Sequence, residues 1–373
     1  MAEENFVSKH WFRRSIISRL LYPVSLLFKL IVSLRRKLYS KIFHSYKPSI
    51  FTISIGNITV GGSGKTPFTI YLAEILAKKG IRTAVSARGY KSVLENKVTL
   101  ISDREGLLPE ADLAGDEAWL LAKRLPEIPI ATGKKRKAAI QLLYKTYPDL
   151  ECIILDDSFQ HLQVQHDSDF VLINAIAGFG NGFILPAGPL REPVSVLRLA
   201  DFLILNHAES RNNDAETLLK HLQSYGKPIY EGYYKVLRVC DFTGRDIEIE
   251  SLSGEAAVIL CGIGNPSSFI STVKDLGIKI AGQMIFQDHY AYNDVEIKTI
   301  LNLLNKSQAQ RIVTTEKDFA KLRHFPDLKS MLIVLQIGFC LASGEEELSG
   351  KLIKQIREKG DYSGKQESRN GLA

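Results

Sequence analysis

The stretch SIFTISIGNITVGGSGKTPFTIYLAEILAKKG, residues 49–80, constrains this chain more than any other. Ser49 to Ile55 is a short apolar run rich in β-branched residues, a glycine-rich turn follows, and the remainder carries a helical pattern. Strand, turn and helix in that order are the context of a phosphate-binding P-loop. Glycines let backbone N–H groups point at phosphate oxygens, and the helix start adds its dipole. The cradle is therefore assigned to Thr59, Val60, Gly61, Gly62, Ser63, Gly64, Lys65 and Thr66. In it Lys65 neutralises the β- and γ-phosphates and Thr66 offers its hydroxyl to Mg²⁺. Pro67 suits the first helical turn, where a missing N–H costs little. The strict spacing has glycine at position 59, where this chain has Thr59, so Gly61 and Gly62 are left to supply the flexibility.

After Gly80 the pattern alternates. A strand is expected over 81–87, a helix near Glu117 to Arg124, a strand at 129–133, a helix near Lys137 to Thr146, and a strand ending at Asp156-Asp157. This is the rhythm of a parallel sheet with helices on both faces. A strand-end carboxylate is ordinarily a turn residue; with a P-loop upstream, Asp156 and Asp157 become candidates to hold Mg²⁺ and its waters.

With 373 residues, two folded units plus an appended segment are the natural expectation. The fold class is α/β: a P-loop core at 48–228, a smaller α/β unit at 229–359 completing a cleft, and an N-terminal amphipathic membrane helix within 1–47. The polar tail, 360–373, reads as disordered.

The net charge of +7 is concentrated at one end: residues 1–47 hold ten basic and two acidic residues, and the rest of the chain carries −1. A short basic arm fits an anionic membrane surface better than nucleic acid, which would call for positive charge across the folded surface. From Ile16 to Ile42 apolar residues recur at helical spacing, interrupted by Arg19, Lys29 and the Arg35-Arg36-Lys37 cluster, and preceded by Trp11, Phe12, Arg13 and Arg14. A spanning helix needs about 20 predominantly apolar residues, so this one is expected to lie in the interface, kinked at Pro23, with packing on the protein's own core as the alternative. Cys152, Cys240, Cys261 and Cys340 form no C-x-x-C pair and read as reduced core residues.

Eight motifs in order, GNITVGGSGKTP, ARGY, GDE, DDSFQH, LPAGPLREP, CGIGNP, FQDHY and TTEKD, mark a chain that resembles the tetraacyldisaccharide 4′-kinases, the lipid A 4′-kinases of Gram-negative bacteria. Ser158 and Tyr290 stand where that pattern usually has glycine and histidine. The resemblance implies ATP-dependent phosphorylation of the 4′-hydroxyl of a lipid A disaccharide precursor by a monotopic enzyme on the cytoplasmic face of the inner membrane. It places proton removal on Asp116, paired with His289; on residue type alone these are a helix N-cap and a loop histidine. Glu117 is a further Mg²⁺ candidate or a solvated helix-start carboxylate. Arg88, Tyr90 and Arg191 are candidates for substrate phosphate or sugar, against ordinary surface roles. CGIGNP lacks the last glycine of a dinucleotide loop and reads as a βα turn, and TTEKD has no chemical role assigned. From another class, a membrane-bound switch ATPase controlling a protein partner is the alternative; a GTPase would carry an Asn-Lys-x-Asp motif, which the sequence lacks.

Overall fold

The computed structural model describes residues 10–11, 14–90, 92–208 and 213–370 and divides the chain into two compact units. Phe12 and Arg13, expected as membrane anchors, lie outside the described residues.

The first unit comprises residues up to Tyr233 together with Phe339 onward. Its N-terminal helix α1 (Ile16–Lys41) is capped by the Ser15 hydroxyl, which accepts from Ser18 N. Then come β1 (Phe51–Asn57), α2 (Lys65–Lys78), β2 (Thr83–Ala87), β3 (Thr99–Ser102), α3 (Asp116–Arg124), β4 (Ile130–Thr132), α4 (Arg136–Thr146), β5 (Cys152–Leu155), β6 (Ser168–Asn174), β7 (Phe202–Asn206), α5 (Asn213–Gln223) and β8 (Ile229–Asp241). The strands stand in the order β8-β7-β6-β1-β5-β2-β4-β3, parallel except for β3, which pairs antiparallel with β4. β1 lies between β5 and β6 and is buried along its whole length, as expected of a central parallel strand covered on both faces. Every βα turn of a parallel run opens at the strands' C-terminal ends, so the P-loop after β1 and Asp156-Asp157 after β5 emerge side by side.

The second unit, Tyr234–Gly338, holds β9 (Ala256–Cys261), α6 (Pro266–Asp275), β10 (Lys279–Ile285), α7 (Asp294–Lys306), β11 (Arg311–Thr315), α8 (Glu316–Leu322) and β12 (Leu332–Leu341), with strand order β10-β9-β11-β12, all parallel. Its core gathers Ile259, Phe269, Val273, Val313 and Ile333. The expected boundary at 229–359 differs at both ends, because β8 and β12 are each shared by the two units. β12 returns the chain to the first unit, where α9 (Glu345–Asn370) buries Leu348, Leu352 and Ile356, one per turn. Lys359 of that helix donates to the carbonyls of Pro48 and Ile50 and pairs with Asp167 at 2.7 Å. The helix reaches Asn370, so the stretch from 360 is helical where a disordered tail was expected; 371–373 lie outside the described residues.

The face that α1 turns to the first unit is mixed: Phe28 packs against the buried cluster around Phe159 and Leu197, the Tyr22 ring centroid lies 4.9 Å from that of Phe183, and two serines are docked beside them. Ser18 and Ser25 are buried, and Ser25 Oγ donates to Ile184 O at 2.8 Å and accepts from Ala187 N at 3.0 Å. Ile16, Leu20, Val24, Leu27, Leu30, Ile31 and Leu34 are more than half exposed on the opposite side. Packing on the protein's own core therefore holds for one side of the helix, and the wide apolar stripe on the other side stays exposed. The helix is long and apolar enough to cross a membrane by composition, and Pro23 lies within it without ending it.

Candidate active site

The turn between β1 and α2 is shaped by Gly61 and Gly64, at φ +110° and +74°, values that a residue with a Cβ rarely adopts. Thr59 is not among the positive-φ residues, so the missing glycine costs the backbone nothing. Instead Thr59 bridges to Leu190, Val60 N donates to Pro189 O and Arg191 N to Ile58 O, both at 2.8 Å. The LPAGPLREP segment thus braces the loop from outside. Ser63, just before the helix, is buried, and its carbonyl accepts from Asn206. Helix α2 begins on Gly64, with no side-chain cap and no acidic residue in its first turn. Its leading N–H groups and its positive end are left for an anion. Thr66 is the second residue of this helix.

Lys65 Nζ stands 3.3 Å from Asn57 Oδ1, 3.5 Å from Ser63 Oγ and 3.5 Å from Asp157 Oδ1. Asn57 is fully buried and fixed by its own donation to Thr59 O at 2.7 Å. The two aspartates have different surroundings. Asp156 is buried and accepts from Thr69 Oγ1 at 2.9 Å; burial first, then the charges of Glu117 and Asp157, push its carboxyl up to about 6. Burial also works to raise Asp157, but Lys65, Arg191 and Arg136 outweigh it and hold this carboxyl below its ordinary range. Asp157 has φ +50°, and its Oδ1 is buried without a hydrogen bond, facing Lys65 and, at 3.6 Å, Arg191. Ser158 lies outside the positive-φ set, so serine in place of glycine is accommodated. Phe159 packs so close to β1 that a Cβ at Gly56 would fall 2.4 Å from its own Cβ.

Among the described residues no three His, Cys, Asp or Glu side chains gather to cage a metal alone. That suits Mg²⁺, which is commonly held by one or two carboxylates, waters and substrate phosphates. An orphaned carboxylate oxygen beside Lys65, a second carboxylate next to it, and Thr66 at the helix start fit a metal–phosphate complex.

Asp116 is the first residue of α3, and Gly115, at φ +85°, holds the cap position, so the N-cap reading of Asp116 is corrected. Gly115 lies against Tyr90 O and Ser92, bringing the ARGY loop beside the start of α3. Arg88 and Tyr90 are exposed there, the guanidinium 5.3 Å from the ring centroid and paired with Glu95. Arg191 is instead beside Asp157 at the phosphate end. His289 belongs to the second unit, at φ +62°, with Nε2 3.4 Å from Lys317 Nζ; Lys317 pairs with Asp288 at 2.8 Å.

Several residues in quoted motifs had no role assigned. In TTEKD, Lys317 meets Asp288 and His289, and fully buried Asp318 accepts from Gly262 N, Tyr292 OH and Thr315 Oγ1. This anchors the CGIGNP turn, whose helix α6 is capped by Asn265. Tyr290, where histidine is usual, donates to Glu296 and packs on Phe286. Arg136 is fully buried, donates to Asp156 O and to Ser86, and props the aspartate turn. Spacing offered no signal for it; a basic residue opening a helix reads as solvated.

A parallel α/β sheet carrying this loop, lysine and carboxylate pair defines a P-loop nucleotide-binding protein of the phosphotransferase kind. The tetraacyldisaccharide-1-P 4′-kinase (LpxK) family model matches residues 17–357, and the chain belongs to that family. It is 35% identical over 356 residues to a tetraacyldisaccharide 4′-kinase of Halothermothrix orenii, covering 88% of this chain and 91% of that one. It is 37% identical over 316 residues to the Chlorobaculum tepidum protein of the same name, with 84% and 89% covered. The crystal structure of LpxK from Aquifex aeolicus in complex with ATP superposes with TM-score 0.72 at 30% identity, over 91% of this chain and 99% of that one.

Proposed function

We propose that this chain transfers the γ-phosphoryl group of ATP to the 4′-hydroxyl of a tetraacylated glucosamine disaccharide 1-phosphate, yielding the 4′-phosphorylated lipid A precursor and ADP. Its membership of the 4′-kinase family states the reaction, and the switch-ATPase alternative is not favoured. The observation that carries the chemistry is Lys65 poised among Asn57, Ser63 and Asp157 at the mouth of an uncapped helix.

The backbone N–H groups of 59–66 bind the phosphates, and Lys65 follows the charge that develops on the transferring group. Mg²⁺, when bound, neutralises phosphate charge, and Thr66, Asp156, Asp157 and Glu117 are the residues to hold it. The sugar oxygen forms its bond to the γ-phosphorus as the bond to the β-phosphate oxygen breaks. The hydroxyl proton goes to the Asp116 carboxylate, with His289 assisting Asp116. Lys317, against His289 Nε2, favours the tautomer with the proton on Nδ1. Arg88 and Tyr90, beside the start of α3, are assigned to the sugar or its 1-phosphate; Arg191 joins the γ-phosphate side.

The exposed apolar face of α1, with Arg19 at its edge, is assigned to an anionic bilayer on the cytoplasmic side of the inner membrane, where ATP is found; nucleic acid is not a partner in this reading. The docking of α1 on the first unit along one side, with its apolar stripe exposed on the other, supports lying on the surface over crossing it. Incubation with γ-labelled ATP and purified disaccharide 1-phosphate, followed by lipid separation, tests the reaction. Label in the lipid is expected; label released only as inorganic phosphate would overturn it.

A further inference from the structure

The basic residues of α1 divide between two tasks. Arg36 points inward, and its Nε and Nη2 grip Glu192 bidentately at 2.6 and 2.8 Å. Nη2 also donates to Phe159 O at 3.3 Å, and the guanidinium lies 4.8 Å from the Phe159 ring centroid. Arg35 adds a donation to Gln160 O at 3.4 Å. Glu192 is 3% exposed, and its other partner is Gln160, whose Nε2 donates to Glu192 Oε2 at 3.2 Å and to Asn57 O at 2.7 Å. Asn57 Oδ1 in turn accepts from Lys65 Nζ at 3.3 Å. A continuous path of polar contacts therefore runs from the N-terminal helix, through both the LREP and FQH segments, to the P-loop lysine. All of its members lie in the first unit.

A bidentate guanidinium–carboxylate pair is directional as well as charged, and removing one partner leaves a buried charge uncompensated. Without Arg36, Glu192 must take up a proton or turn toward water. Turning away releases Gln160 Nε2, and protonation reduces its bond to Glu192 from a charge-assisted to a neutral one; either loosens one fixed end of Asn57. We infer that Arg36 is a positioning residue through which the seating of the N-terminal helix on the first unit and the occupation of the phosphate cradle by nucleotide are coupled. Coupling is reciprocal: whatever the seated helix does for ATP affinity, ATP does for helix seating. The inference rests on the P-loop as the nucleotide site and not on the membrane assignment.

The test is ATP binding by calorimetry in detergent micelles with Mg²⁺, without lipid substrate or vesicles, together with hydrogen exchange of residues 16–41 with and without ATP. Arg36→Ala is expected to weaken ATP binding about tenfold, within the usual range of coupling between sites. Arg36→Lys, which keeps the charge and loses the fork, shares most of that loss. Lys37→Gln removes the same charge from the exposed neighbour and should keep wild-type ATP affinity. ATP is expected to slow exchange in 16–41 of the wild type and to do so less in Arg36→Lys. Wild-type affinity in both folded Arg36 variants, or no effect of ATP on exchange in 16–41, overturns the inference. Should Arg36→Ala not fold, Arg36→Lys and Glu192→Gln, which keeps the shape at 192 and leaves the charge on the partly exposed Arg36, decide it by the same two readouts. A wild type that binds no ATP would instead refute the nucleotide site itself.

Discussion

Lys65→Ala separates the phosphate cradle from the fold. The three groups around Lys65 Nζ stand at 3.3, 3.5 and 3.5 Å, beyond the common N–H···O range, and 14% of the side chain remains exposed. Such long, partly hydrated contacts are worth no more than about 1 kcal/mol to the resting fold. For units of this size that is a fall of about 2–4 °C in Tm. Against a transferring phosphoryl group the same ammonium, already in place, meets the charge that develops. Loss of one such donor typically costs about 10²–10³ in kcat, or 2.7–4 kcal/mol. The variant should therefore lose at least about a hundredfold in turnover while melting within a few degrees of the wild type. Asp157 also loses its largest favourable neighbour, so its carboxyl rises toward the ordinary range. The assay pairs labelled-lipid formation at saturating ATP with a melting curve. A folded variant turning over within about threefold of the wild type would refute the placement of Lys65 on the transferred group.

Three further outcomes are expected. Asp116→Ala and His289→Ala should each lower kcat by about 10²–10⁴, and the double variant should be little worse than Asp116→Ala, because His289 then has no carboxylate to assist; fully multiplicative losses in steady-state kinetics would show independent roles. Replacing the exposed Leu20, Leu27 and Leu34 with serine removes apolar surface worth about 1.5–3 kcal/mol per side chain where fully buried, so sedimentation with anionic vesicles should fall steeply while Tm holds; unchanged sedimentation would remove α1 as the membrane element. Burial first, then Arg136, His166, Arg35 and Arg88, depress His161 to about 4, so the folded state keeps it neutral where the unfolded chain protonates it. The stability this contributes is complete above the unfolded value near 6.5 and is lost as pH falls toward about 4. His161→Asn should therefore flatten part of the acid-side fall in Tm, and superimposable pH profiles would contradict that assignment.

The sequence by itself determined the chemistry-bearing elements. Strand, glycine turn, Lys65 and Thr66 are contiguous, and β5 ends in its aspartates, because a P-loop is local: backbone sterics and a helix start enforce it within a dozen residues. Helical periodicity likewise located α1 to within one residue at its C-terminal end. Tertiary structure alone decided which side of α1 faces the protein, since apolar spacing marks a stripe without saying what covers it, and here Ser18, Ser25, Phe28 and Arg36 are among the docked positions. It also decided that residues after 338 return to the first unit, because strand sharing between β8 and β12 leaves no composition break to read. Arg136 and Glu192 acquired their roles in the same way. A charged side chain on a solvated face and one buried against an opposite charge have the same letter, and their partners, 20 and 156 residues away, meet them only once the sheet has brought the loop ends together.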